Sequence, residues 1–155
     1  MHFPEIIGEN KFTQGRLTYS DHFGNDDSNA RIVISIIFGE RTSISAIVDT
    51  GAPWCIISPE EFVATDGRFI EEIGATSLWV RGTLYSGILC RVPMRVPDEG
   101  YGTDVTLQAT VFIPTLKPGE VWLHPNFLGL SGFLGRLRFA VDPEENAFYF
   151  GAMEE

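Results

Sequence analysis

The chain has 155 residues, of which 44% are hydrophobic and 21% charged, so it is long and apolar enough for one domain with a real core. Its formal net charge of −10 argues against a nucleic-acid partner, because an acidic protein repels phosphates. No segment approaches the roughly 18 consecutive apolar residues of a membrane span, and residues 1–5 show no secretory signal. We therefore expect a cytoplasmic protein that contacts neither nucleic acid nor membrane.

The residues at the N-terminus are set apart by composition. Residues 24–30 read Gly-Asn-Asp-Asp-Ser-Asn-Ala, a polar run typical of a linker. We therefore predict that residues 1–29 form an N-terminal extension or an early hairpin and that residues 30–155 form the main domain. The sequence shows no internal repeat and no further domain boundary.

Strand signals dominate the first part of the main domain. Residues 32–38 are apolar at nearly every position and predict a strand buried largely on both faces. Residues 39–42 turn the chain, a second strand runs over residues 43–49, and residues 55–57 continue in extended form. The sequence thus predicts a hairpin whose second strand ends at Asp49.

A helix start follows at Ser58. Ser58 can cap the helix, Pro59 suits the first helical position, and Glu61 completes a capping box. The helix is predicted to be short and to end before Asp66-Gly67. Residues 68–76 fit neither helix nor strand clearly.

The second half of the chain again favours strands. Residues 78–96 predict a long hairpin punctuated by Gly82 and Gly87, in which Pro93 needs an edge or bulge position. Residues 105–113 give the cleanest period-two pattern. The remaining predictions are a loop over 114–126, a short apolar strand over 127–130, a brief helix near 131–137 and a closing hairpin over 139–150.

Cysteines and histidines suggest no redox or metal chemistry. Cys55 and Cys90 are too few for a disulfide framework, and we interpret them as reduced intracellular core thiols, with a single bridge between them as the alternative. His2, His22 and His124 lack metal-ligand spacing to a second His or Cys. The sequence therefore predicts no metal and no cofactor.

The most informative run is Asp49-Thr50-Gly51-Ala52, which lies between an apolar strand and the apolar residues 55–57. Asp-Thr-Gly alone arises by chance in roughly a few per cent of chains this long and would favour a simple turn. With its apolar flanks, the run resembles the active-site loop of aspartic proteases. One such loop in a chain of this length resembles the homodimeric retroviral type, the retropepsins.

This resemblance implies a chemistry and a fold. Two carboxylates about 3 Å apart share one proton, so that one activates a water while the other protonates the scissile carbonyl. Asp49 of each subunit would supply one carboxylate, Thr50 would bond the partner loop, Gly51 would permit its close approach, and Ala52 would lie along the substrate. The implied fold is mainly β, a single-lobe retropepsin-like closed barrel with one or two short helices and a flap hairpin.

Two softer elements extend the resemblance over residues 30–141. Phe127-Leu128-Gly129 matches the apolar-apolar-Gly segment that packs beneath the catalytic loop in retropepsins, with Phe133-Leu134 after it. The predicted flap, with Gly82 at its tip, comprises Val80, Arg81, Gly82, Thr83 and Leu84. By itself this stretch fits an ordinary hairpin turn equally well.

The chain departs from the viral pattern near the dimer contacts. Pro53 and Trp54 follow Ala52, where viral enzymes often carry acids, and Leu130 follows Gly129, where they often carry a polar or charged residue. The ion pair that helps to build the viral dimer cannot form at these positions. We therefore expect a cellular or bacterial relative whose subunits associate differently.

Three functions are compatible with these residues. The first is an aspartic endopeptidase that is active as a homodimer on polypeptide substrates. The second is a catalytically silent retropepsin-fold module for dimerisation or peptide binding, since a fold does not fix a function. The third is an unrelated small β-barrel binding protein in which Asp49 is only a turn residue.

Overall fold

The computed structural model describes residues 13–21, 31–65 and 70–153, and within these ranges the chain is mainly β. The α-helix α1 spans Pro59–Val63, and a single 3-10 turn spans Leu134–Arg136. The strands are β1 (Gly15–Thr18), β2 (Val33–Phe38), β3 (Thr42–Val48), β4 (Cys55–Ile56), β5 (Glu71–Val80), β6 (Thr83–Val96), β7 (Val105–Pro114), β8 (Asn126–Leu128), β9 (Leu137–Asp142) and β10 (Ala147–Ala152). None of the helical segments in these ranges has the length and apolar character needed to cross a bilayer.

Six strands close into a barrel. Their order is β2-β3-β8-β4-β7-β6, and β6 returns to β2 through Ile37↔Arg95 and Phe38↔Met94. Strand β5 pairs with β6 and extends the sheet beyond the barrel. The predicted fold class, a mainly β closed barrel with short helices, is therefore confirmed.

A second, three-stranded sheet joins the two ends of the described chain. Its order is β1-β10-β9, with β1 antiparallel to β10 and β10 antiparallel to β9. Strand β1 belongs to the predicted N-terminal extension, yet it pairs with the closing hairpin of the predicted main domain. The predicted polar linker, residues 24–30, lies wholly within residues 22–30, which are outside the described residues, so the boundary at residue 29 stays a prediction.

The apolar residues form two clusters. The larger one fills the barrel and includes Phe38, Met94, Val111, Phe133 and Phe148, all completely buried. The smaller one lies beneath the β5–β6 hairpin and comprises Val33, Ile47, Ile56, Val80, Phe112 and Phe127. This second cluster joins the hairpin to the strands that carry the Asp49 loop.

Both cysteines are buried free thiols, as the sequence predicts. Burial raises the pKa of Cys55 to about 12, and burial is likewise the main cause that raises the pKa of Cys90. Because the thiolate is the reactive form, both sulfurs behave as apolar packing. The structure therefore contains no disulfide between Cys55 and Cys90, the alternative that the sequence left open.

The capping box predicted at α1 is only half right. Ser58 Oγ accepts from the Glu61 N–H at 3.2 Å, as predicted. The Glu61 carboxylate, however, accepts from Asn126 Nδ2 at 2.9 Å instead of reaching back to Ser58, whose N–H donates to Asn126 Oδ1 at 2.9 Å. The reciprocal half of the cap is thus supplied by a residue of β8 that is distant in sequence.

Other local predictions differ mainly in length. The ambiguous stretch 68–76 contributes residues 71–76 to β5, and the predicted helix over 131–137 shrinks to the three-residue 3-10 turn. Pro93 lies inside β6, but its carbonyl accepts from the Gly39 N–H at 2.9 Å just beyond the point where β2 stops pairing with β6. Pro93 has no N–H with which to return this bond, so the pairing of β2 with β6 ends at this point.

Candidate active site

Asp49 lies directly after β3, where β3 and the parallel strand β8 end together. Its N–H donates to the Leu128 carbonyl at 2.9 Å, which extends the β3–β8 ladder by one bond. Its half-buried carboxylate accepts from the Gly51 N–H through Oδ1 at 2.9 Å. The loop is therefore a tight Asx turn in conformation, and Oδ2 makes no hydrogen bond to the described residues.

The segment after β8 supports this loop through its backbone. The Leu130 N–H donates to the Ala52 carbonyl at 2.7 Å, and the Ser131 N–H donates to the Pro53 carbonyl at 2.8 Å. A Cβ at Gly129 would lie 2.7 Å from the Ala52 carbonyl oxygen and nearer still to that of Trp54. Only glycine fits here, and Leu128 and Gly129 both lie against the loop.

Residues of the predicted flap form the turn between β5 and β6. Arg81 and Gly82 occupy the turn with φ of 48° and 85°. Val80 is only 5% exposed and packs in the smaller apolar cluster with Phe127. The Arg81 guanidinium carbon lies 5.6 Å from the centre of the Phe127 ring, a cation–π distance. Thr83 and Leu84 are exposed, so within this stretch the contacts with Phe127 are made by Val80 and Arg81.

A cavity of about 270 Å³ lies between the Asp49 loop and this turn. Among the described residues, Asp49 is the one acidic side chain that lines it, and Arg31 and Arg81 are the basic ones. In the described part of the chain, no three His, Cys, Asp or Glu side chains come together in a way that could hold a metal ion. The lining residues are Arg31, Asp49, Gly51, Ala52, Pro53, Ile56, Leu78, Trp79, Val80, Arg81 and Phe127.

Sequence reasoning missed Arg31, although a signal for it existed. The β2–β3 register pairs Phe38 with Thr42 and Val33 with Ile47. Continuing this register by two residues brings Arg31 opposite Asp49. The turn predicted over residues 39–42 would instead pair Phe38 with Ser43 and place Arg31 opposite Thr50, one residue out of register but still beside the Asp49 loop.

An aromatic cluster beside the hairpin was also missed. The Trp122 ring centre lies 4.9 Å from that of Tyr85 and 4.7 Å from that of His124, and Tyr85 Oη lies 3.2 Å from His124 Nε2. Burial, and then the nearby Arg81 charge, lower the pKa of His124. Because the cluster joins β6 to the loop before β8, no local pattern in the sequence could reveal it.

Two solved structures of aspartic proteases are similar to this chain. A retropepsin-like aspartic protease from Rickettsia conorii matches at 15% identity with a TM-score of 0.49, covering 90% of this chain and 94% of that one. The EIAV protease complexed with the inhibitor HBY-793 matches at 11% identity with a TM-score of 0.43, covering 68% of this chain and 88% of that one. No protein-family model and no curated protein match the sequence. Both matches lie below 25% identity and below a TM-score of 0.5.

Proposed function

We propose that the chain is an aspartic endopeptidase that acts as a homodimer, with Asp49 of each subunit facing its twin. The observation that carries the proposal is the place of Asp49 at the bottom of a cavity that a glycine-tipped hairpin covers. Peptide hydrolysis without a covalent intermediate needs a base for water and an acid for the carbonyl. The described residues of one subunit line this cavity with the carboxylate of Asp49, and in the proposed dimer the second carboxylate is Asp49 of the partner subunit.

The surface around Asp49 supports such a partnership. Thr50, Gly51 and Pro53 are exposed, and a Cβ at Gly51 would meet only the Asp49 carboxylate at 3.2 Å. The Thr50 hydroxyl makes no hydrogen bond to any residue in the described ranges, so it is free to bond the partner loop. A two-fold axis beside Gly51 would bring the two carboxylates together with little steric hindrance.

In this proposal Asp49, the Gly51 N–H and the β5–β6 hairpin have separate roles. One Asp49 carboxylate accepts a proton from a water that attacks the scissile carbonyl, while the protonated twin donates to the carbonyl oxygen. The Gly51 N–H holds Oδ1 in place and so orients the carboxylate. The β5–β6 hairpin serves as the flap: it must lift Val80 and Arg81 from Phe127 to admit a peptide and then close to exclude water.

A silent peptide-binding module is the second candidate, and β5 favours it. Within the described residues, β5 pairs on one side only, with β6. Its other edge offers a row of backbone groups to which an extended peptide could add as a strand. This binding would need no carboxylate from Asp49.

A mixing experiment tests the proposed function. Wild-type chain is incubated with increasing amounts of Asp49→Asn chain under subunit exchange, and cleavage of a peptide library is followed. Each mixed dimer holds one competent carboxylate, so activity should fall roughly as the square of the wild-type fraction for random pairing. A fall in simple proportion to that fraction would show that each chain carries a complete site. Absence of any cleavage, with peptide binding retained by Asp49→Asn, would favour the silent module.

A further inference from the structure

Two arginines reach the cavity from opposite sides. Arg31 precedes β2 and lies across from Asp49 on the floor, whereas Arg81 belongs to the hairpin turn above it. Both guanidinium groups stay charged at any physiological pH. The cavity therefore presents two cations and the one carboxylate of Asp49 to whatever enters it.

The backbone of Arg81 is unusual for its residue type. Its φ of 48° is in the left-handed region, where asparagine and glycine are favoured and a long side chain is uncommon. This conformation is disfavoured for arginine. The guanidinium of Arg81 lies over the Phe127 ring, and Arg81 lines the cavity. Strained residues of this kind concentrate at functional sites, where the side chain's position is used.

Neither arginine has a carboxylate partner within the described residues. Arg31 and Arg81 form no ion pair there, although the chain contains 21 acidic residues for 11 basic ones. Pro53 and Trp54, which follow the Asp49 loop, carry no charge that a second subunit could offer to Arg31. Two unpaired guanidinium groups beside a half-enclosed cavity are suited to bind an anion.

We propose that Arg31 and Arg81 select polypeptide substrates that carry an aspartate or glutamate side chain close to the scissile bond. This inference rests on the proposed peptidase function. A guanidinium binds a carboxylate through two parallel N–H donors, an arrangement that the isosteric amide cannot reproduce. In a two-fold dimer the same pair of arginines stands on each side of the paired Asp49 residues, so an acidic residue is accepted on either side of the bond.

Binding of such a side chain also favours opening of the closed hairpin. A substrate carboxylate competes with the Phe127 ring for the Arg81 guanidinium, and an ionic hydrogen bond is stronger than an exposed cation–π contact. The acidic residue would thus contribute both to binding and to hairpin movement. Its effect should weaken with added salt, because the cavity is partly open to solvent.

The test uses the dimer and pairs of synthetic peptides. A randomised peptide library with an apolar pair at its centre first supplies a cleaved sequence. Peptides of that sequence then differ only by glutamate or glutamine, or aspartate or asparagine, at each position next to the apolar pair. We expect kcat/KM of the wild type to be about 10-fold higher for the acidic member at one position or more. High salt should reduce this ratio.

Two variants and a control assign the preference to residues. Arg31→Gln and Arg81→Asn should each lower the acid-to-amide ratio of kcat/KM toward one. Asparagine is chosen at position 81 because it tolerates the left-handed turn, so the fold should survive the change. Arg41→Gln is the matched control: Arg41 is exposed at the opposite end of β3 and should leave the ratio unchanged.

The outcomes separate this inference from the proposed function. Equal cleavage of acidic and amide peptides by the wild type would overturn the inference and leave the peptidase standing. A preference that survives in both arginine variants would also overturn it. If no library peptide is cleaved at all, the proposed function falls and the inference falls with it. The acid-to-amide ratio of kcat/KM for the wild type, and its decrease with salt, test the inference even if a variant fails to fold.

Discussion

Asp49 is tied to Leu128 through the backbone, because its N–H donates to the Leu128 carbonyl at 2.9 Å and its side chain takes no part in that bond. The position of the loop therefore depends on β3 and β8, while any chemistry depends on the carboxylate. The two can be altered separately, and the first prediction uses this separation.

Asp49→Asn should abolish peptidase activity and leave the fold intact. The amide oxygen can still accept from the Gly51 N–H, but the amide cannot act as a base. Cleavage assays and thermal melts measure the two effects, with a stability change below about 1 kcal/mol expected. A statine-type inhibitor should protect only the wild type from thermal unfolding. Asp104→Asn is the control: Asp104 forms an exposed ion pair with Arg95, and this variant should keep its activity. Substantial cleavage by Asp49→Asn would contradict the assignment of Asp49 as the catalytic residue.

Gly129→Val should unfold the protein. Any Cβ at this position meets the Ala52 and Trp54 carbonyls of the loop backbone, which cannot move without breaking the bonds to Leu130 and Ser131. We expect a loss of more than about 4 kcal/mol in the free energy of unfolding, measured by chemical denaturation. Gly74→Ala is the control, because a Cβ there meets nothing within 4 Å. A folded Gly129→Val protein with near wild-type stability would contradict the packing described for this loop.

Gly82→Val should impair turnover more than stability. A β-branched residue resists the φ of 85° at the turn and would stiffen a hairpin that has to open. Gly119→Val is a matched control, since Gly119 has a φ of 82°, equally open surroundings and no place in the cavity. Both variants should lose a similar stability of about 1–3 kcal/mol in thermal melts, whereas steady-state kinetics should change only for Gly82→Val. If Gly82→Val and Gly119→Val had the same steady-state kinetics, Gly82 would not be part of the flap.

Association of two chains should strengthen with salt. Each chain carries a net charge of −10, and dissolved ions screen the repulsion between two such subunits. Sedimentation velocity over a range of sodium chloride concentrations measures the shift toward dimer. A chain that remains monomeric at every salt concentration yet cleaves peptides at high dilution would refute the shared site.

Acid should destabilise the contact between the hairpin and His124. The folded pKa of His124 is lowered from 6.5, chiefly by burial and further by Arg81, so the folded state favours the neutral ring. This contribution is complete above pH 6.5 and is lost as the pH falls through the lowered folded pKa. We expect a small loss of stability between neutral and mildly acidic pH, since solvent screens a group that is only partly buried. Thermal melts across pH should show that His124→Asn lacks this acid-induced loss of stability. If the variant has the same pH dependence as the wild type, the loss comes from other titratable groups.

Local patterns predicted the parts of the site that depend on neighbouring residues. The Asp49 loop follows a strand because apolar residues precede it, and the turn at Gly82 needs a residue that accepts positive φ. Contacts between distant segments could not be predicted in this way. Asn126 replaces half of the capping box at α1, and Trp122 reaches Tyr85 from a loop far along the chain. Such contacts depend on closure of the barrel, which no single segment encodes.

The central place of β10 in its sheet affects how two copies could meet. Strand β10 is hydrogen-bonded to β9 on one side and to β1 on the other, and Gln14 continues that ladder through its N–H to the Phe150 carbonyl at 2.7 Å. A second copy therefore cannot join the two chains into one continuous sheet at this strand. A dimer that pairs two Asp49 loops would therefore be held by side chains and loops and not by pairing at β10, which favours reversible association. Peptidase output would then rise more steeply than protein abundance, so that a sparse population of chains stays inactive without any inhibitor.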